Sequence, residues 1–415
     1  MQFGLLGGRL GHSYSPQIHS HLADYSYSLF EKKPEELKDF FQKGHFQGIN
    51  VTIPYKKDVI PYCTELSPIA RRLGAVNTIV HRPDGTLIGH NTDYFGFLSL
   101  VQRSKLNVSG KKVLVLGSGG SSLTVNAVME ELGANTVVIS RTGENNYNNL
   151  DRHKDASVIV NTTPVGMYPN VGFSPVDLSI FPCLEGVLDI IYNPSKTKLL
   201  LDAENRGLVA ENGLWMLVAQ AKESAEWFIG QKIPDEKIET IHNILSNQMK
   251  NIVLIGMPGS GKSTIGDLLA KKTGRTFIDS DTEIVKKANM SISDIFAKYG
   301  EDEFRKIESE IIAELGKSSG LIIATGGGCV TRDINYRPLH QNSVIVWIQR
   351  SIDALPTEGR PLSIANNLNH MYEIRKPMYE KFADISIQNN KDPITVVDNL
   401  LTMLSKENDY EIAGN

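Results

Sequence analysis

Two glycine-rich loops in this sequence have the residue types and spacing to hold phosphates, and they ask for different chemistry. The first in strength is Gly256-Met257-Pro258-Gly259-Ser260-Gly261-Lys262-Ser263, which follows the short apolar run Asn251–Ile255. In such a phosphate-binding loop the backbone N–H groups of Gly259, Ser260, Gly261 and Thr264 face a nucleotide's phosphates. Lys262 reaches the β- and γ-phosphates, and the Ser263 hydroxyl ligates Mg²⁺. The second loop follows Val113–Leu116 and reads Gly117-Ser118-Gly119-Gly120-Ser121-Ser122. Strand, glycine loop and helix in that order form a dinucleotide site, in which Gly117 permits the tight turn and Gly119 the close approach of a pyrophosphate. Ser122 stands where a third glycine is usual. The next strand, Thr136–Ile139, ends in Ser140-Arg141-Thr142. An NAD enzyme would place a carboxylate there; one Arg between two hydroxyls suits the 2′-phosphate of NADP.

Other segments carry reactive or ligand-holding groups. Ser13 and Ser15 lie two apart and can hold a small anion, and Pro54 closes a strand end so that Lys56 comes at a rim. Asn77 and Asp93 add an amide and a carboxylate. Each of these alone is more often part of a turn than of a site. His12, His19 and His21 lack further ligands at metal-binding spacing and read as ordinary polar residues. Beyond the phosphate loop, the strand Leu321–Ala324 ends in Thr325-Gly326-Gly327-Gly328 with no acidic residue of the Walker B kind. Acidic residues occur instead in Phe277-Ile278-Asp279-Ser280-Asp281. If that strand continues, Asp279 and Asp281 share one face, one carboxylate for the metal and one for an acceptor hydroxyl. The guanine-reading Asn-Lys-x-Asp pattern is missing, which points away from a GTPase.

These residues need parallel sheets behind them. Short β-rich runs at Phe3–Leu6, Gly48–Ile53, Val113–Leu116, Thr136–Ser140, Ser157–Asn161, Val187–Ile190, Ile252–Ile255, Thr276–Asp279, Leu321–Ala324 and Val344–Ile348 alternate with helical stretches. That pattern predicts an α/β protein with doubly wound parallel sheets. Helices are expected from Leu214 to about Ile229 and over Glu236–Met249, with the main boundary between Ser246 and Lys250. A length of 415 residues allows two to three domains. The composition, 41% hydrophobic and 22% charged, is that of a globular protein. A net charge of −4 without a long basic run argues against a nucleic-acid partner. The three cysteines are widely spread, no segment has the length of a spanning helix, and Met1–Gly4 leads straight into a strand. A cytoplasmic protein without membrane attachment is the expectation. Oligomeric state is not readable from these features.

The motifs before and around the dinucleotide loop, from His-Ser-x-Ser-Pro at His12–Pro16 to Met216-Leu217-Val218-Ala219-Gln220, resemble those of shikimate dehydrogenases over the whole first half. The resemblance implies that Ser13 and Ser15 bind a substrate carboxylate. Thr52, Asn77, Tyr192 and Gln220 would contact the substrate, and Lys56 with Asp93 would form the catalytic pair. Gly117, Ser118, Gly119, Gly120, Ser121, Ser140, Arg141, Thr142 and Gly213 would bind NADP(H). It further implies a substrate domain over 1–93 with 213–246, and a Rossmann-like NADP-binding domain over 94–212. A ketone reduction needs a hydride and a proton, and a Lys beside an Asp can supply the proton. Whether Lys56 acts as proton donor or as stabiliser of the developing charge is open at this level.

The segment 250–415 resembles shikimate kinases, with a P-loop α/β fold of the nucleoside-monophosphate-kinase kind. By that resemblance Asp279 and Ser263 serve Mg²⁺, and Asp281 contacts the acceptor hydroxyl and can act as base, with Lys262 on ATP. Arg305 and Arg375 would clamp the shikimate carboxylate, and Gly326, Gly327 and Gly328 would let the backbone approach the ring. Arg360 would be the lid arginine on ATP; the segment Ser351–Arg360 is short and brings no second one. The combined expectation is a bifunctional enzyme of the shikimate pathway. It would reduce 3-dehydroshikimate with NADPH, then phosphorylate shikimate with ATP. Quinate dehydrogenase is the competing reading for the first half. A nucleotide-binding regulatory module with one inactive half is the competing reading for the chain.

Overall fold

The computed structural model describes residues 2–11, 13–355 and 368–413, with side chains as far as Ser405. His12 and the expected lid residue Arg360 lie outside the described residues. The chain divides into two compact units. One comprises 1–166, 173–192 and 202–244; the other comprises 167–172, 193–201 and 245–415.

The first unit holds two sheets. Strands β1 (Gln2–Gly7), β2 (Ser26–Glu31), β3 (Gly48–Val51), β4 (Glu65–Leu66), β5 (Thr78–His81) and β6 (Leu87–His90) form a six-stranded sheet of order β2-β1-β3-β5-β6-β4. Its β3–β5 and β5–β6 pairs are antiparallel, so this sheet is mixed where an all-parallel one was expected. The reason is local. Only Arg82–Thr86 joins β5 to β6, too short a stretch for the crossover that a parallel pair needs. Gly85 there has φ +84°, and the Asp84 carboxylate accepts the Thr86 N–H at 2.9 Å. The second sheet is parallel throughout: β7 (Lys112–Leu116), β8 (Asn135–Ile139), β9 (Val158–Asn161), β10 (Gly186–Asp189) and β11 (Val209–Glu211), in the order β11-β10-β9-β7-β8. β9 and β10 are buried along their whole length, as strands covered on both faces by helices must be.

Two helices of this unit, Asp93–Ser104 and Leu214–Ile229, pack at backbone contact. A Cβ on Gly96 would stand 2.7 Å from the Met216 carbonyl oxygen, so only glycine allows the approach. That contact sets Asp93, at the start of one helix, beside Gln220 on the other.

The second unit carries one parallel sheet: β12 (Asn251–Ile255), β13 (Phe277–Asp279), β14 (Ile322–Ala324), β15 (Ser343–Gln349) and β16 (Ile385–Gln388), in the order β13-β14-β12-β15-β16. β12 is central and fully buried, and the phosphate loop leaves from its C-terminal end. β13 stops at Asp279, and Ser280 begins the helix Ser280–Ala288. Asp279 and Asp281 are therefore not alternate residues of one strand: the Asp279 carboxylate caps the helix by accepting the Asp281 N–H at 3.0 Å. Among the described residues no helix is long and apolar enough to cross a membrane.

Candidate functional site

In the first unit, Ser13, Ser15, Thr52, Lys56, Asn77, Asp93, Tyr192, Gly213 and Gln220 line one cleft of about 520 Å³. Lys56 lies in the turn after β3, and its Nζ meets the Asp93 carboxylate at 2.6 Å. Tyr55, fully buried, anchors this turn through its hydroxyl on the Lys32 carbonyl. The wall opposite is a hydrogen-bonded amide network. The buried Asn77 Oδ1 accepts the Thr92 N–H at 2.7 Å, and its Nδ2 donates to Thr92 Oγ1 at 3.0 Å. Thr92 Oγ1 lies 3.4 Å from Gln220 Oε1. Such a network fixes rotamers in advance of ligand binding. At the mouth, the Ser13 hydroxyl accepts the Ser15 N–H at 3.2 Å, and Tyr14 meets Tyr192 edge-to-face at 6.1 Å. Burial, and secondarily the Tyr14 hydroxyl, raise the Tyr192 phenol above its ordinary range. A Cβ on Gly213 would fall 2.0 Å from the Ile190 carbonyl oxygen, which restricts this place in the wall to glycine.

The dinucleotide loop lies between β7 and the helix Gly120–Glu131. Gly117 has φ +103°, and a Cβ there would be 2.9 Å from Thr162 Oγ1. Around Gly119 and Gly120 a Cβ would meet nothing, so the loop has open space over its backbone. Ser122, in place of the third glycine, is buried and donates its hydroxyl to the Gly119 carbonyl at 2.7 Å, tightening the first helical turn. Ser118 is exposed and Ser121 half-buried on the same turn. Ser140 directly follows β8, its hydroxyl accepting the Gly143 N–H at 2.8 Å. Arg141 and Thr142 are exposed beside it.

In the second unit a cleft of about 560 Å³ gathers Gly259, Gly261, Lys262, Ser263, Thr264, Asp279, Asp281, Arg305, Gly326, Gly327, Gly328 and Arg375. Gly261, with φ +94°, caps the helix Lys262–Thr273, whose positive end faces the loop. Ser260 is buried beneath it. Lys262 Nζ donates to the carbonyls of Gly256 at 2.9 Å and Met257 at 3.0 Å. The Ser263 hydroxyl donates to Asp279 at 2.7 Å. That pair offers only hard oxygen ligands. Among the described residues no cluster of three His, Cys, Asp or Glu residues could hold a metal. The donor set fits a Mg²⁺ ion that keeps waters and phosphate oxygens for its remaining positions.

The helix Ile292–Leu315 kinks at Gly300 and sends Arg305 into the cleft. Its guanidinium is held by Glu308 at 2.8 Å and Glu301 at 3.0 Å. Glu308 is wholly buried; burial raises its carboxyl while Arg305 lowers it, with a net rise. Burial and then the Asp279 charge raise the Asp281 carboxyl, against lowering by Lys262 and Arg305. Asp281 Oδ1 and Glu308 Oε1 are both buried without a hydrogen-bond partner. They converge on Gly326, where a Cβ would stand 2.9 Å from the first and 2.6 Å from the second. Leaving a buried acceptor unpaired costs about 1–3 kcal/mol, so these two oxygens are acceptors that a donor entering the cleft would stabilise. Arg375 Nη1 donates to the Gly327 carbonyl at 3.3 Å beside them.

Several residues of these walls were not singled out from sequence. Glu308 stands three residues after Arg305 on one helix, a spacing at which opposite charges meet, and that signal was available. Asn50 and Thr92 join the first cleft's network through contacts distant in the chain, which no local pattern shows. Arg350 directly precedes the segment expected to bring no second arginine, and its Nη1 donates to the Gly259 carbonyl at 3.2 Å.

The fold and the two clefts define a dinucleotide-dependent oxidoreductase for a small polar acid, joined in one chain to a P-loop kinase. Comparison with known proteins is more specific. Residues 5–79 match the shikimate dehydrogenase substrate binding domain, and residues 258–405 match the shikimate kinase family. A Shikimate dehydrogenase (NADP(+)) of Clostridium perfringens is 35% identical over 265 residues, covering 59% of this chain and 97% of that protein. A chorismate mutase/shikimate 5-dehydrogenase fusion protein from Clostridium acetobutylicum is 36% identical, with TM-score 0.56 over 59% of this chain and 96% of its own. Shikimate 5-dehydrogenase from Thermus thermophilus, solved with NADP(H) and shikimate, is 29% identical with TM-score 0.54, over 59% of this chain and 99% of its own. The chain belongs to the shikimate dehydrogenase family and continues into a segment of the shikimate kinase family.

Proposed function

We propose that the chain catalyses two consecutive reactions, NADPH-dependent reduction of 3-dehydroshikimate to shikimate and ATP-dependent phosphorylation of shikimate. The observation that carries the reading is the convergence of Asp281 Oδ1 and Glu308 Oε1 between the phosphate loop and two arginines. A ligand satisfying that cleft needs hydroxyl donors, a carboxylate, and one hydroxyl near the phosphates. Shikimate has all three, and it is what the first unit's family makes.

In the first cleft, Ser13 and Ser15 would bind the carboxylate, and Thr52, Asn77, Tyr192 and Gln220 the ring. Bound NADPH supplies the hydride. Lys56, held at 2.6 Å from Asp93, delivers a proton to the developing alkoxide or stabilises its charge. The exposed Arg141, with Ser140 and Thr142, favours the 2′-phosphate of NADP. In the second cleft, Arg305 and Arg375 would hold the shikimate carboxylate, and Asp281 would orient and accept the proton of the attacking hydroxyl. Lys262 would neutralise charge on the transferred group, with Mg²⁺ held by Ser263 and Asp279. Three unpaired cysteines support a reducing, cytoplasmic setting.

Coupled kinetics test the reading: the chain is given 3-dehydroshikimate, NADPH or NADH, and ATP, and free shikimate is followed with time. Both turnovers are expected, with NADPH preferred to NADH. Dehydroshikimate turnover without ATP consumption, or the reverse, removes the corresponding half; faster oxidation of quinate than of shikimate would favour the quinate reading.

The kinase arrangement also predicts an effect at Gly328. A Cβ there would fall 2.1 Å from Arg305 Nη2, and the guanidinium would have to move. Gly328→Ala is expected to lower kinase kcat/KM for shikimate by about 100-fold, as about 1 Å of misplacement does. Steady-state kinetics with either substrate varied should show an unchanged KM for ATP.

A further inference from the structure

Arg350 follows the last residue of β15, half-buried in the wall of the kinase cleft. The cleft's other cations are already engaged: Lys262 on loop carbonyls, Arg305 between two glutamates, Arg375 against Gly327. Arg350 has no carboxylate partner among the described residues, and its one hydrogen bond, from Nη1 to the Gly259 carbonyl, leaves most of its donors available. Its backbone is firmly placed. Asn389 N–H donates to the Gln349 carbonyl at 2.7 Å, and Ser351 N–H donates to Asn390 Oδ1 at 3.2 Å. Asn389 Nδ2 also holds the Ser260 carbonyl at 2.7 Å. Two successive carbonyls of the phosphate loop, at Gly259 and Ser260, are thus fixed from the β15–β16 strand ends. A guanidinium planted there, against a loop whose N–H groups face phosphates, presents a planar set of donors suited to bidentate phosphate contact.

We propose that Arg350 binds the phosphate chain of the nucleoside triphosphate held in this loop, as a second cation beside Lys262. The inference rests on the kinase reading above and deepens it. It also accounts for the single arginine in the sequence segment 351–360, because the additional positive charge comes from the strand end.

The test compares ATP, ADP and adenosine binding to the full-length protein by calorimetry, for wild type, Arg350→Gln and Arg350→Lys. Glutamine can still donate to the Gly259 carbonyl but carries no charge. R350Q is expected to lose about tenfold or more in affinity for ATP, the size of a charged hydrogen bond. Adenosine binding, melting temperature, KM for shikimate and dehydrogenase activity should stay unchanged. R350K should recover part of the loss. Equal ATP affinity in R350Q and wild type overturns the proposal alone, and so does a loss that is as large for adenosine as for ATP. A wild-type chain that binds no ATP overturns the kinase reading with it.

Discussion

Lys56→Ala is expected to lower the turnover of 3-dehydroshikimate by about 10³-fold, within the range for loss of a positioned proton donor. Kinase turnover of the same preparation should not change. The pair is well placed for a catalytic role: side-chain exposures of 30% and 17% leave both groups reachable from the cleft while their 2.6 Å contact fixes the ammonium. The pair is part-buried and still open to the cleft, so its removal should cost closer to the roughly 1 kcal/mol of a surface pair than the several of a fully buried one, and the variant should fold. Following NADPH oxidation with 3-dehydroshikimate in excess gives kcat, and the pH profile of Lys56→Arg separates the two roles left open for this residue. An arginine cannot give up its proton near neutrality. A substantially active arginine variant therefore means charge stabilisation, whereas one as inactive as alanine means proton transfer. Alanine at near wild-type rate would remove Lys56 from the chemistry.

The second large effect is at Asp281. Asp281→Asn is expected to reduce kinase kcat by about 10²–10⁴-fold while leaving the reductase intact. It should also raise the thermal stability of the second unit. Burial and the Asp279 charge raise this carboxyl above its unfolded value, so its ionised form opposes folding. The sign follows from linkage: a group with a raised folded pKa contributes stability below its unfolded pKa and loses it as pH rises through the folded one. The melting temperature of D281N should therefore exceed that of wild type at neutral pH, and the difference should vanish in acid below the usual aspartate range. In kinetics, the acid limb of wild-type kinase activity should fall at higher pH than an ordinary aspartate would give. A D281N enzyme with undiminished kinase activity would sink the assignment; equal melting curves at neutral pH would show that the site does not hold the carboxylate under strain.

Much of this architecture was legible in the sequence because its signals are local. All ten strands expected from apolar runs are present, and the helices Leu214–Ile229 and Glu236–Met249 occur as expected. The six strands not anticipated, among them Glu65–Leu66, Val209–Glu211 and Ile385–Gln388, are short or lie at sheet edges, so each offers too few residues for a pattern to stand out. The mixed first sheet escaped prediction because strand direction is set by a connection's length, which a count of strands and helices passes over. The expectation that Asp279 and Asp281 share a strand face missed the competing preference of an aspartate for the helix N-cap.

What the sequence determined by itself are the two phosphate loops, the α/β class and the reactive residue types. A glycine loop between a strand and a helix works through its own backbone, within a dozen or so residues, and needs no distant partner to be recognised. Only the tertiary structure decided which groups meet. Lys56 and Asp93 are brought together by a turn and a helix start; Asp281 and Glu308 converge on Gly326 from two helices; Arg350 reaches Gly259 across neighbouring strands. Those distances depend on strand order and helix packing, which spacing along the chain does not encode. The absence of a side chain at Gly96 lets two helices approach so that Asp93 and Gln220 share one cleft, and at Gly328 it leaves room for the Arg305 guanidinium.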